Sequence, residues 1–180
     1  MKKSKYVLVL AMSIFLISLI VGFIYGINNK YDVSEYVKTI DKSFLLINHL
    51  LVILLFFFST ISLIGTLICG FYIGFEGVCV GYVISEFFNT YGFKGVMYSL
   101  INITINKVLF LVILFYLFVV CVKYAKKVIS NMVGISTDYL IYLLKPLIKK
   151  YALIILFIST YDILNYFFAY KVLRYFTFML

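Results

Sequence analysis

From Phe44 to Phe88 the chain carries no lysine, arginine or aspartate, and only two glutamates, Glu76 and Glu86. A single helix of these 45 residues would be about 68 Å long at roughly 1.5 Å per residue. That is over twice the roughly 30 Å hydrocarbon core of a bilayer. The run must therefore fold back on itself inside a membrane. The whole sequence agrees. Its 180 residues are 65% hydrophobic and 13% charged, with a mean hydropathy of +1.13. A soluble domain is roughly 45–50% apolar and about 25% charged. The expected class is all-α, a polytopic bundle of membrane-spanning helices forming one transmembrane domain.

Five spans are predicted: Tyr6–Ile27, Phe44–Ile64, Leu67–Phe88, Val108–Val122 and Tyr151–Leu173. The first is longer than a signal-peptide core and lacks a small-residue cleavage site, so it reads as an uncleaved anchor. The long apolar run is expected to break at Ile64–Gly70, where Gly65 and Gly70 stand. Asn89–Gly95 reads as a turn by its Asn and Gly content. Val96–Asn106 is too short to cross alone. It fits an interfacial or re-entrant helix, or the first turns of the fourth span; a six-span arrangement is the alternative. Segment 123–150 carries six lysines against one acid, Asp138. Its middle is expected to lie on the membrane surface as an amphipathic helix, ended by Pro146.

There are 16 basic and 7 acidic residues, a net charge of +9. The lysines cluster at the ends of apolar segments, where they set topology and meet lipid headgroups. No basic patch with base-stacking aromatics forms outside the membrane, so nucleic acid is not an expected partner. The density of lysine in 123–150, against the balanced charges of the 28–43 loop, orients the N-terminus to the cytoplasm and the C-terminus outside.

The intramembrane polar residues are the candidate functional set. Glu76 and Asp162 lie in apolar spans, where a carboxylate is costly and normally faces protein or a wet cavity. Lys107 is a candidate partner for either acid, but its end-of-span position suggests snorkelling. Ser159, Thr160, Tyr161 and Asn165 are candidate hydrogen-bond partners of Asp162. His49, the one histidine, reads as a hydrogen-bonded packing residue. Gly70 and Gly74, and Gly77 and Gly81, are four apart. Each pair makes a small face that lets another helix approach, within this chain or from a partner. The cysteines Cys69, Cys79 and Cys121 read as small buried hydrophobes. No cofactor motif, metal-ligating set or catalytic triad is expected.

The motif-bearing residues lie in order. Asn48 stands near the start of the second span and Gly65 at its end. Next comes Phe75-Glu76-Gly77-Val78-Cys79-Val80-Gly81-Tyr82. Tyr91-Gly92-Phe93-Lys94-Gly95 follows, then Ser99 and Asn106. This pattern resembles the stage II sporulation protein M family, polytopic membrane proteins of endospore formers. The family often carries a proline before its fourth span; Thr104, Ile105 and Asn106 stand there in this chain. The resemblance implies a non-enzymatic scaffold in the sporulation septum. It implies partnership with the D and P proteins of the same stage, which degrade peptidoglycan during forespore engulfment. Homo-oligomerisation is a further expectation. The other functional expectation is a small ion or solute channel or transporter working through Glu76 and Asp162.

Overall fold

The computed structural model describes residues 2–29, 43–60, 62–130 and 137–177. It is all-α: α1 is Lys2–Asn28, α2 Ser43–Ser59, α3 Leu63–Asn106, α4 Val108–Ser130 and α5 Thr137–Thr177. Four stretches, Ser4–Asn28, Ile64–Asn106, Val108–Val128 and Leu144–Leu173, are long and apolar enough to cross a membrane. In α2 the apolar part, Leu46–Ser59, is shorter. Large apolar side chains also face outward, among them Ile17 and Val21 of α1, Phe71 and Phe75 of α3, and Phe167 and Phe168 of α5. A helix that is apolar all round belongs in lipid or in a core. The chain is a membrane-spanning helical bundle.

The break in the long apolar run falls at 60–62, not at Ile64–Gly70. Ser62 caps α3, its hydroxyl accepting the Ile64 amide at 3.2 Å. A serine cap supplies an acceptor that a glycine lacks, and this fixes the start of α3. Gly65 lies inside the helix and serves packing instead. A Cβ there would meet the Ser59 carbonyl oxygen at 2.0 Å, so only glycine lets the start of α3 fold so tightly against the end of α2.

The second reversal is at Gly92, with φ 61° and ψ −142°. Few residues other than glycine reach this region. The limb 93–106 turns back along 63–91, with Tyr98 packed on Phe87 at 5.3 Å between ring centroids. Gly95 closes the hairpin: a Cβ would come within 2.0 Å of the Phe87 carbonyl. Val96–Asn106 thus belongs to the returning limb of a hairpin. It runs on into α4 with a local break at Lys107. The Lys107 amide bonds the Ile103 carbonyl at 2.8 Å, and the Leu111 amide bonds that of Lys107 at 2.9 Å. Cys69 and Cys121, with sulfurs 3.8 Å apart, belong to the same antiparallel pairing nearer its open end.

At the other basic segment the expectation is corrected too. The residues on either side of 131–136 extend α4 to Ser130 and α5 back to Thr137. Pro146 lies within α5 rather than at its end. The helix forgoes the bond that an amide at 146 would donate, and Pro146 itself is exposed. The middle of the predicted surface helix, and most of the 28–43 loop, fall outside the described residues.

Helix α1 runs parallel to the first limb of α3. Gly22 meets Val78, and Gly26 meets Ser85. From the other side, Gly77 meets Phe15 and Ser18, and Gly81 meets Leu19 and Phe23. Helix α2 is antiparallel to α5, Thr60 bonding Tyr151 at one end and His49 bonding Asp162 further along. These pairings place the start of α1, the 60–62 link and the lysine-rich ends of α4 and α5 at one end of the bundle. Gly92, the end of α1 and the end of α5 lie at the other. The main core gathers Phe56, Ile73, Phe110, Leu114, Leu117, Cys121 and Leu147 between α2, α3, α4 and α5.

Candidate functional site: two buried ion pairs about a helix break

Three carboxylates are buried in the bundle, Glu76, Glu86 and Asp162, and the first and last stand against a basic side chain. Glu76, on the first limb of α3, accepts from Lys107 Nζ at 2.8 Å and from the Tyr72 hydroxyl at 2.8 Å. Tyr72 stands one turn before Glu76, so the helix itself aims the hydroxyl. Its ring is held edge-on by Phe56 of α2. The Glu76 side chain is 6% exposed and the Lys107 side chain 32%. The lysine therefore bridges the buried acid and the outside of the helix. The hairpin makes this possible. The limb 93–106 returns about 21 Å at 1.5 Å per residue, which brings its end back level with Glu76. The snorkelling expectation for Lys107 gives way to an ion pair. In lipid an unpaired carboxylate at this depth is costly, and Lys107 is the cation the fold delivers.

The second pair is His49 of α2 with Asp162 of α5. Nδ1 of His49 lies 3.1 and 3.0 Å from the two carboxylate oxygens. With a proton on Nδ1, the ring donates to Asp162. Both side chains are 4% exposed. The imidazole is stacked on Phe110 of α4, with centroids 3.9 Å apart and planes 21° from parallel. The stack fixes the ring plane, and so the direction of Nδ1.

Between the pairs lies the break at Lys107, whose φ is −123°. A disturbed helix in lipid needs its backbone groups satisfied from elsewhere. Here α5 supplies the donors. The Tyr161 hydroxyl and Asn165 Nδ2 both donate to the Ile105 carbonyl, the latter at 3.2 Å. Asn165 Nδ2 also donates to Asn106 Oδ1 at 2.9 Å, and Asn106 Nδ2 to Asn102 Oδ1 at 2.5 Å. Polar residues of α2, α3 and α5 thus meet beside Lys107, where α3 joins α4, and Phe110 of α4 packs on the His49 ring. The arrangement neutralises Glu76 and Asp162 locally and ties four helices together. Among the described residues no group of three His, Cys, Asp or Glu side chains gathers to hold a metal.

Glu76 and Asp162 are not brought into contact with each other. Of the neighbours expected to satisfy Asp162, Thr160 bonds its own helix at Leu156, while Tyr161 and Asn165 serve the break at Lys107. Sequence reasoning missed the His49 pairing. The signal available was one of scarcity, since the only histidine and one of two mid-span acids both need partners.

The glycines divide. Gly74, Gly77 and Gly81 face α1, and Gly70 faces Phe118 of α4, where a Cβ would sit at an ordinary 3.7 Å. The α1 partners Gly22 and Gly26 went unnoticed, although they too are four apart. Gly92 and Gly95 build the hairpin tip, and Lys94 is exposed beside them. Asn48 is exposed next to the buried His49. Asn106 is the junction residue already described. Comparison with protein-family models, with curated proteins and with solved structures finds no match to this chain.

Proposed function

We propose that the chain is a non-enzymatic membrane scaffold of sporulation that recruits peptidoglycan-degrading proteins to the septum for forespore engulfment. One observation carries the reading. Several of the residues in which the sequence resembles the stage II sporulation protein M family are ones on which this bundle is built. Gly65, Gly77 and Gly81 permit backbone crossings, and Gly95 closes the hairpin. Gly92 supplies the positive φ at its tip. Asn106 joins the returning limb to α5. A shared motif that fixes a fold is a stronger warrant than shared apolar residues, which any spanning helix supplies.

Gly74, Gly77 and Gly81 are covered by α1 and Gly70 faces α4, so a partner docks elsewhere. The hairpin tip is the accessible motif surface: Phe93 is 73% exposed, and Lys94 stands beside it. With the N-terminus in the cytoplasm, this tip faces the cell-wall side, where the D and P proteins act. Affinity capture of the tagged chain from detergent-solubilised membranes of sporulating cells tests the reading. Peptidoglycan hydrolases are expected with the wild type and depleted with Phe93→Ala/Lys94→Ala. Intact, monodisperse wild type that captures no hydrolase overturns it.

A second reading, a proton- or cation-coupled path, is favoured by the two buried acid–base pairs flanking an interrupted helix, a pattern that lines ion sites in transporters. Flux in proteoliposomes tests it. A wild type that passes ions beyond leak, with loss in Glu76→Gln, supports the path. Equal flux removes Glu76 from it.

A further inference from the structure

The α3 hairpin is taller than a membrane. Lys150 of α5 stands over the Tyr124 ring of α4 at 5.9 Å, so Lys123 and Lys150 mark one level. Lys171 follows Lys150 by 21 residues of the same helix. That is about 32 Å at roughly 1.5 Å per residue, which matches the roughly 30 Å hydrocarbon core. The hairpin reaches further. Lys107 stands 16 residues before Lys123 and meets Glu76, and Gly92 is 16 residues beyond Glu76. Each step is about 24 Å, so the tip lies about 16 Å outside the level of Lys171. On the returning limb, Gly95, Tyr98 and Ser99 are buried. Phe93, Met97 and Leu100 face outward, 73%, 54% and 45% exposed. Positions i, i+4 and i+7 form one stripe along a helix. Leu100 lies near the level of Lys171 and the other two lie beyond it, where hydrocarbon does not cover them. An apolar stripe held among headgroups and water marks a protein contact.

We propose that Phe93, Met97 and Leu100 form a docking ridge for an amphipathic helix of a membrane-anchored partner, with an acidic side chain set against Lys94. The proposal takes from the scaffold reading that a partner meets this tip, and adds the partner's form. A helix laid along another helix reads this periodicity. Lys94 is the exposed charge beside the ridge, while Glu86, the acid of the other limb, is buried, so the complementary charge is acidic. A second copy is the poorer occupant. Ridge on ridge would bury roughly 600 Å² in all, against about 1,200–2,000 Å² in a stable interface. A partner held in the same membrane needs less area, because its anchor raises its effective concentration.

Two measurements on the full chain in phosphatidylcholine nanodiscs test the ridge. The first is depth. A fluorophore on Met97→Cys, in a Cys79→Ala background that leaves only the buried Cys69 and Cys121, should be quenched by iodide in the water and by headgroup spin labels. The same fluorophore on Phe71→Cys, a position 78% exposed below Glu76, should be quenched by acyl-chain labels. Acyl-chain quenching at Met97 equal to that at Phe71 puts the ridge in hydrocarbon and overturns the proposal. The second is binding of a synthetic acylated helix with leucine at i, i+4 and i+7, flanked by glutamate or by lysine. The glutamate form should bind wild type and lose about 10-fold with Met97→Ser/Leu100→Ser. Leu153→Ser/Leu156→Ser, the same change on exposed positions of α5, should leave binding unchanged. The lysine form should bind about 2–5-fold more weakly, a gap that Lys94→Gln closes. Equal binding to wild type and to Met97→Ser/Leu100→Ser, or no preference for the glutamate form, overturns the ridge. So does self-association of the wild type that Met97→Ser/Leu100→Ser abolishes, which gives the stripe to a second copy. Probe binding without hydrolase capture from cells leaves the ridge standing and overturns the scaffold reading alone.

Discussion

Replacing Gly81 by alanine tests the crossing of α1 with α3 most directly. The new methyl would lie 2.0 Å from the Leu19 carbonyl oxygen and 2.8 Å from the Phe23 amide nitrogen. Both are backbone atoms of a helix, so no side-chain rotation relieves them. Ordinary contact begins at 3.4 Å, so α1 must retreat by about 1.4 Å. A gap of only 0.5–1 Å forfeits about a quarter to a half of the dispersion energy across a contact. The retreat also opens the neighbouring approaches of Gly22 to Val78 and Gly77 to Phe15. Between helices in lipid there is little hydrophobic drive to compensate. Overpacking costs about 1–3 kcal/mol and at times more; the rigid backbone obstacle puts Gly81→Ala at the upper end, about 3 kcal/mol. Gly70→Ala is the control. Its methyl meets Phe118 at an ordinary 3.7 Å, and removing a helix-interior glycine gains up to about 1 kcal/mol. Reversible unfolding in mixed detergent micelles should separate the variants by roughly 3–4 kcal/mol. Gly22→Ala/Gly81→Ala should cost less than the sum of its parts, because one retreat of α1 accommodates both. Equal stability of Gly81→Ala and Gly70→Ala would refute the crossing.

Other perturbations probe the remaining features. Lys107→Met leaves Glu76 buried without its cation and should destabilise by about 3–5 kcal/mol, with Lys107→Met/Glu76→Leu recovering most of it; the same micelle titration measures the coupling, and additive losses would remove the pair. Gly92→Ala meets no atom within 4 Å, so its loss of about 1–3 kcal/mol is backbone strain alone; an unchanged midpoint would show that the tip has another conformation. A membrane-permeant oxidant should join Cys69 to Cys121, whose sulfurs are 3.8 Å apart, within one chain and leave Cys79 open to alkylation. Peptide mapping that finds Cys79 in the linkage would contradict the α3–α4 pairing.

Much of the architecture was legible because lipid imposes simple rules. Apolar length marked out the helices, and the Gly92 turn announced itself by composition. The break before α3 was misplaced because glycine is ambiguous in membranes. At Gly65 it marks a close approach, and the cap at Ser62 marks the end. Pro146 misled for a related reason. A proline costs a helix one bond, and packing on either side keeps the helix intact. The candidate site was legible in its parts and not in its pairings. Glu76 and Asp162 stood out as misplaced charges, but nothing local says that Lys107 returns to Glu76 or that His49 faces Asp162. Those matches depend on a hairpin register and on which helices lie side by side. Both are set by contacts distant in sequence.

The parallel packing of α1 on α3 has a consequence for how the protein is made. Helix α1 is made before its partner glycines, which come 59 residues later, counting from Gly22 to Gly81. At roughly 5–20 residues per second on the ribosome, that is an interval of about 3–12 s. Throughout it α1 waits in the bilayer as an independent span with its glycine stripe turned to lipid, as spans do before they associate. Helix α1 cannot dock on these glycines until α3 has followed it into the bilayer. A nascent chain stalled within α2 therefore offers an uncovered Gly22–Gly26 face, which the membrane's quality-control machinery can read as the mark of an unfinished protein.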